Sequence, residues 1–183
     1  MDLGLRGKRA VVTGGTKGIG RAIVERLALE GCNVAFCARG KDDVDATVAS
    51  VTKSGVQAFG GTLDVTDADA LRSWIVKASE TLGGIDVLIP NVSALAVTNT
   101  EDSWQAGFNT DILGSVRAVE TAMPHLERSE LGSIVIVAST AALEIYLGPR
   151  PYNSVKAALI CLLYTSDAAD DTPCVDLGGR RII

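Results

Sequence analysis

Tyr152 and Lys156 stand four residues apart in the run Tyr-Asn-Ser-Val-Lys, and in a helix that spacing puts both side chains on one face, one turn apart. An ammonium held beside a phenol favours the tyrosinate and lowers its pKa. Tyr152 could then give a proton to a carbonyl oxygen, or take one from an alcohol, near neutral pH. Ser139, at the end of a β-branched run, is a candidate donor to the same oxygen and would stabilise charge as it develops there. Taken alone, Tyr-x-x-x-Lys is common on amphipathic helices and requires no chemistry. A second cluster is Thr13-Gly14-Gly15-Thr16-Lys17-Gly18-Ile19-Gly20. Glycines here let the backbone approach a pyrophosphate, and a helix start aims its free N–H groups at the anion. The plain alternative is a tight turn between a strand and a helix.

Residues of this kind act only where a scaffold positions them. Arg9–Thr13 is a β-branched run ending in glycines, and residues 19–29 then switch to helical spacing with Ile23 and Leu27 on one face. The alternation repeats. A strand is expected over 33–38, a helix over 42–53 with acidic residues in its first turn, a strand over 56–65, and a helix over 67–82 with Thr66 as N-cap. Residues 85–89 form a fourth strand, apolar on both faces, followed by a long helix over about 101–127, a fifth strand over 133–138 and a helix beginning near Pro151. Fully apolar strands alternating with helices imply a parallel sheet covered on both sides, a doubly wound α/β fold of Rossmann type with right-handed crossovers.

Within that frame the glycine spacing resembles the short-chain dehydrogenase/reductase family, whose cofactor motif is Thr-Gly-x-x-x-Gly-x-Gly, matched by Gly14, Gly18 and Gly20. The resemblance continues through Asp64-Val65, where the family contacts adenine, and through Asn91, beyond which Ser93 stands in place of the family's glycine. It continues again at Ser139, Tyr152 and Lys156, which it implies are catalytic. The implied reaction exchanges a hydride between a nicotinamide and a carbonyl or alcohol carbon. The implied cofactor contacts are Gly14, Thr16, Lys17, Gly18, Ile19, Gly20, Arg39, Asp64, Val65, Asn91, Tyr152 and Lys156. A fourth catalytic position is an asparagine three residues before a glycine; counting back from Gly114 it is Asp111, with Asn109 two residues out of register. A carboxylate there could hold a relay water, and an exposed helical aspartate is the alternative. An acid at the end of the second strand would accept the 2′-hydroxyl of NAD. This chain has Ala38-Arg39 there and Lys17 before the second glycine, basic groups that resemble the NADP-preferring members. The expected cofactor is NADP, with NAD as the alternative; for Arg39 the plain reading is a solvated charge.

Composition narrows the partners. A chain of 183 residues that is 47% hydrophobic fits one domain with a sizeable core, and no apolar run is long enough to span a bilayer. The N-terminus lacks the pattern of a signal peptide, which makes the cytoplasm the expected compartment. A net charge of −5 with scattered Lys and Arg supplies no basic face for nucleic acid or an anionic membrane. The expected partner is a small-molecule carbonyl or alcohol, and a full-length protein of which this chain is the front part is expected to be a homo-oligomer. Cys32, Cys37, Cys161 and Cys174 lack zinc-site spacing and are read as reduced thiols with no metal. His125 suits the C-terminal end of the long helix and receives no catalytic role, while Trp74 and Trp104 are read as packing anchors.

After Ile160 the family would supply further strands, a Pro-Gly turn over the cofactor and a substrate lid. The chain instead carries two blocks, residues 161–170 and 175–183, similar to the translation of a transposase-type sequencing-library adapter flanking a sample index. The expected organisation is a nucleotide-binding domain with the catalytic residues over 1–160, lacking the family's C-terminal strands, and a tail over 161–183 without function. Two rivals stand beside it. One is a non-catalytic nucleotide-binding relative, favoured by Asp111 and Ser93; the other is an inactive fragment whose fifth strand is left as an open edge.

Overall fold

Period-two alternation along the central strands sorts the core into two layers. A computed structural model, which describes residues 3–144 and 148–166, contains β1 (Arg9–Thr13), β2 (Asn33–Ala38), β3 (Ala58–Thr62), β4 (Val87–Ile89) and β5 (Ser133–Ile134). They form one parallel sheet in the order β3-β2-β1-β4-β5, with Val11 registered against Ala35 on one side and Leu88 on the other. The helices are α1 (Gly18–Leu29), α2 (Lys41–Thr52), α3 (Ala68–Leu82), α4 (Glu101–Gly107), α5 (Gly114–Leu126) and α6 (Arg150–Ser166). Val11, Ala35 and Leu88 point to the face covered by Leu71 and Ile75 of α3 and Ala118 of α5. Ala10, Val12, Val34 and Phe36 point to the other, covered by Val24 and Ala28 of α1 and Val44 of α2. Each large apolar side chain buried in this way contributes about 1.5–3 kcal/mol, so the sheet is the rigid base from which the loops at its ends project.

The expected doubly wound α/β sheet is thus present, and among the described residues β3 and β5 are its edge strands. Local boundaries differ for identifiable reasons. The helix expected over 101–127 is interrupted by a π-helical turn, Phe108–Leu113, between α4 and α5. Thr66 is not the N-cap of α3: Asp67 is, its side chain accepting the Ala70 N–H at 3.0 Å. The Thr66 hydroxyl bonds back to Asp64 instead. The β5 ladder proper ends at Ile134, yet the N–H groups of Val135 and Val137 still donate to Leu88 and Pro90. Trp74 packs on Gly61 of β3, where a Cβ would lie 2.2 Å from the indole nitrogen. Trp104, by contrast, is 42% exposed. Cys32 and Cys37 are buried thiols, and burial pushes Cys37 up to about 12, which leaves it unreactive. Cys174 lies outside the described residues. Among the described residues no helix is long and apolar enough to cross a membrane.

Candidate active site

The site is built at the C-terminal ends of the strands, where open parallel sheets place their ligands. After β1 the chain turns through Gly14 and Gly18, whose φ angles of 73° and 53° suit glycine. The N–H groups of Gly14 and Gly15 both donate to the Cys37 carbonyl, tying the turn to the end of β2. Gly20 faces the turn so closely that a Cβ would lie 2.1 Å from the Gly14 carbonyl oxygen and 2.4 Å from Asn91 Nδ2. Asn91, delivered by the end of β4, braces the same turn: its Nδ2 donates to the Thr13 carbonyl at 3.0 Å and the Gly14 carbonyl at 3.3 Å. No side chain caps α1 and no acid stands in its first turn, so the helix start keeps its positive end uncompensated.

A cleft of about 770 Å³ opens beside this turn, within the range of small-molecule sites. Gly14, Thr16, Lys17 and Gly18 line it from the turn, and Arg39, Asp64, Val65 and Asn91 from the ends of the other strands. A glycine turn in which a Cβ at Gly14 or Gly20 would collide with its neighbours, beside a bare helix start, fits a dinucleotide. Four expected contacts are absent from the walls: Ile19 is 64% exposed, Gly20 lies behind the turn, and Tyr152 and Lys156 stand beside the cleft without lining it. Lys17 and Arg39, the two cations lining the cleft, already have acidic neighbours. Lys17 Nζ is 2.7 Å from Asp43 Oδ2, and Arg39 Nη1 is 4.0 Å from Asp64 Oδ2. Asp64 is held below the usual carboxylate range first by the Thr66 N–H, at 2.9 Å, and further by the Thr66 hydroxyl and Arg39.

The proton-handling candidates gather next to the cleft, on α6 and the elements packed against it. Pro151 near the start of α6 suits a helix N-terminus, where its missing N–H is not needed. Tyr152 is half-buried, and Lys156 is buried with its Nζ 5.8 Å from the centroid of the Tyr152 ring. The ammonium donates to the Val137 carbonyl at 3.3 Å and lies 3.2 Å from Asp111 Oδ1. Gly107 allows this approach, since a Cβ there would meet Val155 of α6 at 3.1 Å. Ser139 caps the 3-10 turn Thr140–Ala142, its Oγ accepting the Ala141 N–H at 3.2 Å, which leaves its O–H free to donate.

Asp111 corrects the alternative of an exposed helical aspartate: it is 1% exposed and paired with Lys156. Asn109, out of register in the sequence, takes no part in this cluster; its carbonyl accepts the Gly114 N–H across the π turn. Sequence reasoning also missed Asp43, Ala106 and Thr110 as walls of the cleft. Only Thr110 had a legible signal, being the neighbour of Asp111 on the same turn.

The family model for short chain dehydrogenase matches residues 8–171. Isoepoxydon dehydrogenase of Penicillium expansum is 36% identical over 164 residues, which cover 86% of this chain and 62% of that protein. A short chain dehydrogenase from Burkholderia cenocepacia in complex with NADP superposes with a TM-score of 0.83 at 32% identity, over 90% of this chain and 70% of that one. A short chain dehydrogenase/reductase from Burkholderia phymatum in complex with NAD gives 0.81 at 26% identity, over 88% of this chain and 59% of that one. The chain spans about three-fifths of the length of the curated relatives it matches. The glycine cradle braced by Asn91 and the Tyr152–Lys156 turn beside it agree with these matches, and the chain belongs to the short-chain dehydrogenase family.

Proposed function

We propose that the protein is an NADP(H)-dependent oxidoreductase transferring a hydride between nicotinamide and the carbonyl or secondary-alcohol carbon of a small molecule. The observation that carries this reading is the buried Lys156 ammonium held one helical turn from Tyr152, next to a cleft of dinucleotide size. Bound NADPH would supply the hydride. Gly14, Thr16 and Gly18 would seat its pyrophosphate at the start of α1, Asp64 and Val65 would meet the adenine, and Lys17 and Arg39 would take the 2′-phosphate. In reduction Tyr152 gives its phenolic proton to the carbonyl oxygen, and Ser139 donates its O–H to the same oxygen. Lys156 stabilises the tyrosinate left behind. In oxidation the same groups run in reverse, with Tyr152 as the base.

The proposed working unit is residues 1–160; residues 161–183, most of which lie outside the described residues, are assigned no part in it. A non-catalytic nucleotide-binding role is the second reading, and Asp111 favours it, because its carboxylate offsets the charge on which Tyr152 depends. The full chain decides between them in an assay of NADPH oxidation over a panel of ketones and aldehydes. Tyr152→Phe should keep NADPH binding and lose turnover by about 10²–10⁴-fold. Near-native turnover in that variant, or a chain that binds neither NADPH nor NADH, would overturn the proposal.

A further inference from the structure

Asp111 sits where the cleft and the proton-handling cluster meet. The π turn inserts an extra residue into the helix, with the Gly114 N–H reaching back five residues to the Asn109 carbonyl. The Asp111 carbonyl there accepts the Ser115 hydroxyl at 2.6 Å. With the backbone so held, the carboxylate makes two contacts in different directions. Oδ2 accepts the Ala94 N–H at 2.7 Å. Oδ1 lies 3.2 Å from Lys156 Nζ at an angle outside hydrogen-bond geometry, so that contact is an ion pair without an aligned hydrogen bond.

The Ala94 contact matters because Ala94 anchors a strained stretch of backbone. The next residue, Leu95, has a φ of 48°, a region unfavourable for a leucine, and it persists only where neighbours fix the backbone. The Leu95 N–H donates to Ser93 Oγ at 3.2 Å, and Val97 N–H donates to the Leu95 carbonyl at 2.6 Å. Ser93, Ala94 and Leu95 line the cleft. One buried carboxylate therefore holds a strained wall of the cleft with one oxygen and the lysine beside Tyr152 with the other.

We propose that Asp111 is a positioning residue that locks the 93–97 loop to Lys156 and, by offsetting the Lys156 charge, keeps the proton affinity of Tyr152 higher than a neutral side chain at position 111 would. The proposal rests on the reading of Tyr152 as the proton-transfer group. A neutral pair beside a phenol favours the phenolate less than a lone ammonium does. Of the elements packed on α6, the π turn contributes only Asp111 to this environment, and the end of β5 contributes the Val137 carbonyl. The other charged side chains on or next to these elements, Glu101 and Asp102 of α4, Glu144 after the 3-10 turn and Arg150 of α6, are exposed and screened by water.

Asp111→Asn in the full chain separates charge from shape, since an amide oxygen still accepts the Ala94 N–H. The pH profile of turnover should move down by about one unit, on its acid limb for alcohol oxidation and on its alkaline limb for carbonyl reduction. Asp111→Glu, which restores the charge, should move the profile back toward the native position. A readout without turnover is the titration of the Tyr152 phenol by NMR in tyrosine-labelled protein free of cofactor, the signal assigned by its loss in Tyr152→Phe. Its midpoint should fall in Asp111→Asn; an unchanged midpoint would overturn the proposal. Should Asp111→Asn not fold, Asp111→Ser, a second neutral side chain with an oxygen to accept the Ala94 N–H, decides: an unchanged Tyr152 midpoint in that variant would likewise overturn the offset. A chain that turns over no substrate would remove the reading of Tyr152 as catalytic, while the NMR midpoint would still test the role of Asp111.

Discussion

The sheet carries a buried aspartate–cation pair at each end, and the two are built differently. At the foot, Asp86 just before β4 is saturated. Oδ2 accepts from Arg9 N and Arg9 Nε, both at 2.8 Å, and Oδ1 accepts from Arg9 Nη2 at 2.5 Å and Ser129 Oγ at 2.6 Å. Those bonds, with Arg9 foremost, hold the Asp86 carboxyl down at about 2 despite the opposing effect of burial. At the head, Asp111 has one aligned donor, Ala94, and an ammonium at 3.2 Å outside hydrogen-bond geometry. A planar guanidinium fork locks the first pair; a single lysine point charge leaves the second unsaturated. The foot pair clamps β1, β4 and the turn after α5 together, whereas the head pair retains electrostatic freedom beside the groups proposed to move a proton.

The comparison breaks most visibly at Arg9. Arg9→Ala strands a buried carboxylate and should lower unfolding free energy by about 3 kcal/mol, while the foldable fraction keeps its affinity for NADPH. Urea denaturation with a parallel binding titration checks this; a loss of affinity without a loss of stability would mean that the two ends are not separable. Acid sharpens the same point. The folded Asp86 carboxyl lies below its ordinary value of 3.8, at about 2, so its contribution is complete above about pH 4 and disappears as pH falls toward 2. That contribution is roughly 2 kcal/mol, and stability measured against pH should lose this limb in Asp86→Asn.

The head of the sheet should respond to shape before charge. Gly20→Ala places a methyl against the Gly14 carbonyl and Asn91, neither of which is the free end of a flexible chain, so the turn must move. The expected cost is about 1–3 kcal/mol, read as a five- to 150-fold loss of NADPH affinity by fluorescence titration. Gly18→Ala is the control for space, since nothing lies within 4 Å of a Cβ there and only its φ of 53° opposes the substitution.

Legibility in the sequence tracks the range over which each feature is determined. The glycine turn, the alternating strands and the Tyr152–Lys156 spacing are local patterns, and they stand where the residues predict. Asp111 was identifiable by register from Gly114, but its burial depends on a π turn, which has no periodic signature in Phe108–Leu113. Trp104, read as a packing anchor, is 42% exposed, because residue type alone does not tell which side of α4 meets the core. The foot pair was missed although a signal existed. Asp86 and Arg9 are charged residues at the starts of two strands that are otherwise apolar, and a buried strand tolerates such a charge only beside its opposite. Lys17 and Arg39, expected to meet a 2′-phosphate, line the cleft, but their acidic neighbours come from α2 and the end of β3, pairings that no spacing reveals.

Those exposed pairs give the smallest expected effect and the finest test of the contrast between fixed and exchangeable charge. Arg39 is 84% exposed on its side chain and only 4.0 Å from Asp64, so its present ion pair is worth less than about 1 kcal/mol. A 2′-phosphate would offer it a charge-assisted hydrogen bond of about 1.5–3 kcal/mol, and the difference leaves a net preference of about 1–2 kcal/mol. Arg39→Ala should therefore weaken NADPH binding about five- to thirty-fold and leave NADH nearly unchanged. Rising salt should weaken NADPH more than NADH, because the contact is open to solvent, in contrast to the Arg9–Asp86 clamp, whose carboxylate is buried. Asp43→Asn provides the opposite sign: freeing Lys17 from its carboxylate should raise NADPH affinity slightly. If the ratio of NADPH to NADH dissociation constants is the same in the native chain and Arg39→Ala, the rim charges do not select the cofactor, and Arg39 is a solvated charge at a strand end.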